Sequence, residues 1–430
     1  MTAPGVLLLD AAGPESGAIA AAAAARGHQV HAATTAVAYE GYGQALKGLL
    51  TGRVVTDFAR PGQALDEIAA YARRRGVGAV LTVNEYLTEL AARVCAELRV
   101  PGNDPGRARA ARDKAAMAEA FAAAGVDAPY TVLVCDDAGL RSALADSQVG
   151  FPCVVKPLSG AGSAGVTVVS GADGAATAAD AARAAVGMYG RVGDPRILIQ
   201  AYVVGTEYSV ESFTQDGNTT HLCVTEKTVT KGAHRVETGH SLPASLPPVA
   251  EQAVYAGVEK AIAAVGIRNG ASHTEVIVGP EARCTVIEIG ARLGAGQIGF
   301  LIQQALGIDP WTALLDTALG RPANLTPTRH DYATVRFLTS PRSGRLASVT
   351  GLPPVGPGVP FVSLRTSVGS RVDGARTNGH RLGSFVVTGS NAQAVEERAD
   401  AQLRQIRVEV EPHPNGEPDP VPGSLARAGR

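Results

Sequence analysis

The sequence predicts a mixed protein, α/β at its start and α+β further on, with a small α+β cap near its end. Three observations carry this. A strand–turn–helix–strand pattern repeats at the start of the chain. Strand-like segments and helices alternate through the middle. After Gly320-Arg321-Pro322 the texture changes to short strands, glycines and prolines. At roughly 100–200 residues per domain, 430 residues allow two to four domains. The expected division is an α/β domain over 1–108, a larger domain over 109–322, a cap over 323–412 and a disordered tail over 413–430.

Gly5 to Asp10 reads as a short buried strand, followed by a small-residue turn and a helix to Arg26. Gln29 to Thr34 is the next strand, and the pattern repeats with Ala79 to Val83 and a helix from Tyr86 to Leu98. Such alternation builds a parallel sheet. The first turn, AAGPESG, is not a full G-x-G-x-x-G, so it supports a nicotinamide role only weakly. A helix is expected from Arg107 to Ala124, ended by Gly125. Thr131 to Val134 and Phe151 to Pro157 read as strands, and a glycine-rich loop follows. Beyond it come a strand, a long alanine-rich helix and four strand-like segments up to Thr230. Pro247 to Val265 is helical, and Ala271 to Val278 and Cys284 to Ala291 are strands joined at Gly279-Pro280. Helices run from Gln297 to Leu319, and one more lies near Asn391 to Arg407.

The formal net charge is −1, so nothing favours a nucleic-acid or membrane-surface partner. The run Arg73-Arg74-Arg75 ends a helix, where cations suit the dipole, and reads as a solvated face. The five cysteines include no C-x-x-C pair and stand in apolar contexts, which points to buried free thiols in a reducing cytoplasm. The alanine run Ala20 to Ala25 has no basic region before it and is not a signal peptide. No stretch is long and apolar enough to span a bilayer.

Lys156 ends an apolar strand, and a buried ammonium needs an anionic partner. Ser159-Gly160-Ala161-Gly162-Ser163-Ala164-Gly165 follows; small residues let backbone N–H groups approach phosphate. Without a G-K-[ST] ending the loop is not a Walker A motif, and alone it could be a flexible hairpin. Gln200-Ala201-Tyr202-Val203 ends a strand in a connector whose backbone could bond an adenine, and Glu207 could accept from ribose hydroxyls. The plain alternative for Glu207 is an exposed charge at a strand edge. His273-Thr274-Glu275 and Glu288-Ile289-Gly290-Ala291-Arg292 form the densest cluster. Side chains alternate along strands, so His273 shares a face with Glu275, and Glu288 with Gly290 and Arg292 if the extended form continues. Two carboxylates on adjacent strands repel in a dry cleft unless a cation lies between them, and oxygen ligands with phosphates suit Mg²⁺. Arg292 would then face a transferred phosphoryl group; a structural Glu288–Arg292 ion pair is the alternative.

These segments resemble the ATP-grasp superfamily, in consistent order from Arg112 to Leu319. The resemblance implies an ATP-grasp fold with an N-terminal Rossmann-like α/β domain. Arg112-Asp113-Lys114 looks like the entry motif, whose lysine contacts ATP phosphate. Lys156 looks like the second ATP lysine, Gln200 to Val203 like the adenine connector and Glu207 like the ribose carboxylate. Glu275 and Glu288 look like metal ligands, and Arg292 like the phosphate-stabilising arginine. A narrower resemblance is to the L-amino-acid ligases that make dipeptides. It rests on Glu237-Thr238-Gly239-His240 ahead of Pro243, on E-I-x-x-R-L-G, and on Val335-Arg336-Phe337-Leu338 in the cap. Gln200 departs from a common glutamate, and Gly290 from an asparagine metal ligand.

The resemblance implies an ADP-forming ligase using ATP with one or two Mg²⁺ ions. A carboxylate, that of an amino acid, would be activated as an acyl phosphate and captured by a second amino acid or another amine. Lys114, Lys156, Ser159, Gly160, Ser163, Gln200, Tyr202, Val203 and Glu207 are expected to hold ATP. Glu237, His240, Arg292, Gly294 and Gly296 are expected at the acyl substrate. Glu237 would accept from its ammonium and His240 would donate to an oxyanion. Gly294-Ala295-Gly296 would leave open volume for its side chain. Expected partners are small molecules, with neither nucleic acid nor membrane; a homodimer is left open. Alternatives are a carboxylase-type ATP-grasp reaction and a nucleotide-binding module that has lost catalysis.

Overall fold

The computed structural model describes residues 3–185, 188–190 and 194–412. The tail expected to be disordered, 413–430, lies outside the described residues.

Four parallel strands form the first sheet, in the order Leu50–Val55, Val30–Thr34, Gly5–Leu9, Val77–Leu81. Both of its faces are covered, which is why Gly5–Leu9 is buried throughout rather than alternating. Val6 and Leu8 pack with Ile19, Ala20 and Leu315, while Leu7 and Leu9 pack with Ile68, Leu90 and Val94. Alternate side chains thus bind helices Gly13–Ala25 and Pro310–Ala318 on one face and Pro61–Arg74 and Thr88–Leu98 on the other. The strand Leu50–Val55 and the short helices Ala36–Glu40 and Gln44–Leu49 escaped the sequence reading. That edge strand alternates half-buried and exposed positions over only six residues.

The helix expected from Arg107 to Ala124 is two pieces. A short 3-10 turn, Ala108–Ala111, breaks at Arg112, and a new helix runs Lys114–Ala124. The break is a capping event: the Asp113 carboxylate accepts from the N–H groups of Ala115 and Ala116. Gly125, at φ 64°, ends the helix as expected.

A small sheet in the order Thr131–Val134, Ile197–Ala201, Cys153–Pro157, Thr167–Val169 sets Lys156 and Gln200 on neighbouring strands. Helices Asp137–Ala145 and Ala175–Arg183 cover it. The first of these was not anticipated, and the second spans nine residues where a long helix was expected.

The third sheet is antiparallel and eight-stranded. Its order is Cys284–Gly290, Gly270–Val278, Thr206–Gln215, Asn218–Val229, Glu237–Leu242, Tyr332–Thr339, Arg381–Gly389, Phe361–Leu364. It therefore runs unbroken from the central segment into the cap. Glu237–Leu242 is an interior strand paired on both sides. Helix Ala392–Gln405 and the sheet Arg371–Val372, Gly344–Thr350, Arg407–Glu411 complete the cap. The cysteines are free, four of them buried; Cys135 is exposed, contrary to expectation. Among the described residues no helix is long and apolar enough to cross a membrane.

Candidate active site

Glu275 and Glu288 face each other across the antiparallel pair Gly270–Val278 and Cys284–Gly290. Strand alternation places both at the wall of a cavity of about 490 Å³. Each carboxylate is met by a lysine. Lys114 Nζ lies 2.7 Å from Glu288 Oε1, and Lys227 Nζ lies 2.6 Å from Glu275 Oε1. Lys227 also reaches Glu207 at 2.9 Å and Glu237 at 3.0 Å. Burial opposes its charge, but these three carboxylates outweigh burial and hold it protonated well above the ordinary lysine range.

His273 and Glu275 share a face as expected, 3.5 Å apart. Behind them the fully buried Glu211 accepts from His273 Nδ1 at 2.8 Å. Burial would push the imidazole pKa down; the Glu211 carboxylate outweighs it and lifts the value to about 9. Glu275 is held well below the usual carboxylate range: Lys227 and His273 outweigh the cost of its burial.

Arg292 does not continue the extended run of Glu288 and Gly290. The strand ends at Gly290, and the arginine turns to Glu85 of the first α/β unit, forming an ion pair there rather than with Glu288. A Cβ on Gly290 would stand 3.0 Å from Glu85 Oε2, so this carboxylate fills the place left by the missing side chain. That oxygen is buried, and among the described residues no hydrogen bond of acceptable geometry reaches it; it is ion-paired with Arg292 Nε.

Lys156 lies in the same cavity and donates to Gln200 Oε1 at 2.9 Å. Burial pushes its pKa down to about 8, with Glu288 opposing and Lys114 adding to the shift. Gln200 also donates to Thr131 Oγ1 at 2.9 Å. Its side chain is thus pinned beside the lysine, not free to face an adenine. Gly160, Ser163, Tyr202, Val203 and Glu207 line the cavity with them. Ser159 is not part of the wall. Lys114 Nζ donates to the Gly160 carbonyl at 3.2 Å, and the loop opens at φ 65° and 61° for Gly162 and Ser163.

The acyl-substrate residues are arranged differently from expectation. Glu237 lines the cavity, but Lys227, His240 at 3.1 Å and Arg381 at 2.6 Å already surround its carboxylate. Their charges outweigh burial and hold it well below the usual carboxylate range. His240 is only 1% exposed. Its Nδ1 faces the Gly296 carbonyl at 3.0 Å and its Nε2 faces Glu237, so neither nitrogen is left for an oxyanion. Gly294 and Gly296 do not leave open volume. A Cβ on Gly296 would stand 2.6 Å from His240 Cε1, and one on Gly294 would stand 2.7 Å from His273 Nδ1. Both positions suit glycine because neighbouring side chains pack closely there.

Sequence reasoning missed Lys227, Glu211, Glu85, Arg381 and Asn378. Lys227 and Glu211 had a usable signal, being charges on strands inside apolar sequence. Glu85, Arg381 and Asn378 reach the site only through tertiary folding. Asn378 N–H donates to the Gly162 carbonyl at 2.9 Å, and its Oδ1 accepts from the Glu237 N–H at 3.0 Å.

Among the described residues there is no cluster of three or more acidic, histidine or cysteine side chains set to hold a metal. The facing carboxylates of Glu275 and Glu288 are oxygen donors of the kind that suits Mg²⁺ with phosphate co-ligands.

Comparison with known proteins agrees with this geometry. Residues 149–300 match the ATP-grasp domain and residues 336–411 match the L-amino acid ligase C-terminal domain 2. The chain is 26% identical over 361 residues to the uncharacterized protein y4rH of Sinorhizobium fredii, covering 80% of this chain and 70% of that protein. It is 26% identical over 290 residues to the alanine–anticapsin ligase of Bacillus subtilis, covering 61% of this chain and 58% of that protein. In fold it is similar to the L-amino acid ligase from Bacillus licheniformis, with a TM-score of 0.78, 19% identity, and 96% and 100% of the two chains covered. Phosphoribosylglycinamide synthetase from Anaerococcus prevotii gives a TM-score of 0.70 at 17% identity, covering 95% and 100%. ATP-grasp enzymes in general use ATP and magnesium. The chain is thus similar to the ATP-grasp domain over residues 149–300 and to the L-amino acid ligase C-terminal domain over residues 336–411.

Proposed function

We propose that this chain is an ATP-dependent carboxylate–amine ligase whose acyl substrate is an α-amino acid and whose amine is an amino acid or another amine. The observation that carries the reading is the facing pair Glu275 and Glu288, set with Lys114, Lys156 and Arg292 around one cavity. We divide the chain as an α/β domain over 1–108, an ATP-grasp domain over 109–322 and a cap over 323–412.

Lys114 and Lys156 bind and neutralise the phosphates, and the N–H groups of the Gly160–Gly165 loop cover them. Glu207 takes the ribose. Glu275 and Glu288 hold magnesium, with Glu85 beside them in the place opened by Gly290. Bound there, Mg²⁺ offsets the charge on the phosphate oxygens during transfer. The substrate carboxylate attacks the γ-phosphorus of ATP, the bond to the β-phosphate oxygen breaks, and ADP leaves. The amine nitrogen then attacks the acyl carbon, loses its proton, and phosphate departs. Arg292 orients the acyl phosphate and balances its charge in both steps. No side chain need act as a nucleophile. Ser212 and His221 do form a pair at 2.8 Å with Glu259 beyond, but Ser212 is wholly buried within the sheet.

Phosphate release measured with amino acids singly and in pairs, and with bicarbonate, tests the reading. The expected result is release with a pair of amino acids, or an amino acid and an amine, together with the amide product. Release with bicarbonate and with no amino acid would overturn it in favour of a carboxylase.

A further inference from the structure

Most buried cations among the described residues are paired with carboxylates. Lys114 meets Glu288, Lys227 meets three carboxylates, Arg336 meets Glu396 and Asp400, and Arg381 meets Glu237. Lys156 meets no carboxylate but donates to Gln200 Oε1 inside the cavity; Arg112 meets neither. It is 9% exposed, yet among the described residues its guanidinium has no hydrogen-bond acceptor and no carboxylate. Its nitrogens are not among the fully enclosed polar atoms, so the side chain is largely buried while the N–H groups stay open to an anion brought by a ligand.

The surroundings say where that ligand would come from. Arg112 stands at the break between Ala108–Ala111 and Lys114–Ala124, with φ −135° and ψ −43°. Its guanidinium carbon lies 4.2 Å from the centre of the Tyr86 ring. A ring on one face of the guanidinium leaves the N–H edge free, and that fork matches a carboxylate with two parallel hydrogen bonds. Tyr86 belongs to the turn Glu85–Leu87, which follows the carboxyl end of strand Val77–Leu81. Ligands of open parallel sheets bind along that edge. Neither Arg112 nor Tyr86 lines the cavity assigned to the nucleotide, but their chain neighbours Glu85 and Lys114 do. Arg112 is therefore placed beside the phosphate end of the site and outside the space ATP would fill.

We propose that Arg112, backed by Tyr86, is the receptor for the carboxylate of the amine substrate, which makes that substrate an amino acid or a peptide rather than a simple amine. This rests on the ligase reading above. The nucleophile must reach the acyl carbon from outside the nucleotide cavity, and the N-terminal sheet edge flanks Arg292 through Glu85. An amino acid whose carboxylate is held at Arg112 is anchored on that side.

The test separates the half-reactions in the full-length protein. Hydroxylamine captures the acyl phosphate as a hydroxamate and needs no amine substrate. Arg112→Gln should leave hydroxamate formation and the KM for ATP unchanged. It should raise the KM for an amino-acid acceptor on the order of 100-fold. Wild type should prefer alanine over ethylamine as acceptor, and the variant should lose that preference. Arg112→Lys, which keeps the charge without the fork, should fall between the two, and it is read in place of Arg112→Gln if the latter does not fold. Loss of hydroxamate together with loss of ligation would show that Arg112 serves the nucleotide or the fold, and would overturn the proposal. So would an unchanged acceptor preference in a folded variant, or a wild type that uses both acceptors equally. A wild type that forms no hydroxamate with any amino acid would overturn the ligase reading itself, a separate result.

Discussion

Single side chains set the chemistry of this site by what surrounds them. Lys156 shows the trade most plainly. Its burial beside a neutral amide drops its pKa to about 8 from 10.5. Without ligand its ammonium is destabilising below about pH 8, and the penalty is relieved as pH rises from about 8 to 10.5, where the unfolded chain holds the extra proton. Lys156→Met should thus raise the unfolding temperature of the ligand-free protein at neutral pH, by an amount worth about 3 kcal/mol at most. The same variant should lose the stabilisation that ATP gives the wild type. A variant that is less stable without ligand, or that keeps the ATP-induced shift in Tm, would show that Lys156 is not a phosphate ligand. Glu288 carries the converse case. Glu288→Gln removes the anion that faces both Glu275 and Lys114. Phosphate release should fall by about two orders of magnitude or more, because phosphoryl transfer depends on the ion held there. Near-normal release by a folded Glu288→Gln protein would remove Glu288 from the metal site.

Elements decide which of these side chains meet. The glycine-rich loop 159–165 has few internal bonds, a weak one from Ala164 N–H to Ala161 and one from Val166 N–H to Ser163. It is tied to the cap by the Asn378 N–H to Gly162 bond, and Asn378 in turn receives the N–H of Glu237. Hydrogen exchange should show the loop amides fast without nucleotide and slowed at least tenfold with a non-hydrolysable ATP analogue. Asn378→Ala should lessen that protection while leaving exchange in strand Ile197–Ala201 unchanged. Equal exchange with and without nucleotide would make the loop a plain hairpin. What the sequence disclosed follows the same division. Lys156, Glu275 and Glu288 were legible because period-two alternation on apolar strands gives each side chain a face. The break at Arg112 was not, because a helical pattern runs through it and only the Asp113 cap interrupts it. The strand Glu237–Leu242 was hidden because its alternation mixes buried polar residues, His240 and Ser241, with Gly239. Its burial comes from partners far along the chain, Asn218–Val229 and Tyr332–Thr339.

On the scale of the whole molecule, the eight-stranded sheet makes the central body and the cap one structure, and Glu237 lies at their seam. Lys227 approaches it from the central strands, and Arg381 approaches from the cap, packed 3.8 Å over the Phe337 ring. An amino-acid ammonium must therefore share this carboxylate with cations already in place. It can do so at the cavity side, where Lys227 has Glu207 and Glu275 to fall back on. Arg381 has no second carboxylate among the described residues. Glu237→Gln keeps the shape and removes the charge, so its consequences separate by partner. Stability should fall by roughly 3–5 kcal/mol, because the guanidinium of Arg381 is left buried without its anion. The KM of the acyl amino acid should rise steeply, since losing a charge-assisted bond to an ammonium costs roughly 2–5 kcal/mol. The KM of ATP should move less but measurably, because Lys227 would shift toward Glu207, the residue proposed to take the ribose. Removing the amino group from the substrate should hurt the wild type far more than Glu237→Gln. If both enzymes discriminate equally between the amino acid and its des-amino analogue, Glu237 serves the seam alone, and an acyl substrate without an α-ammonium becomes the better reading.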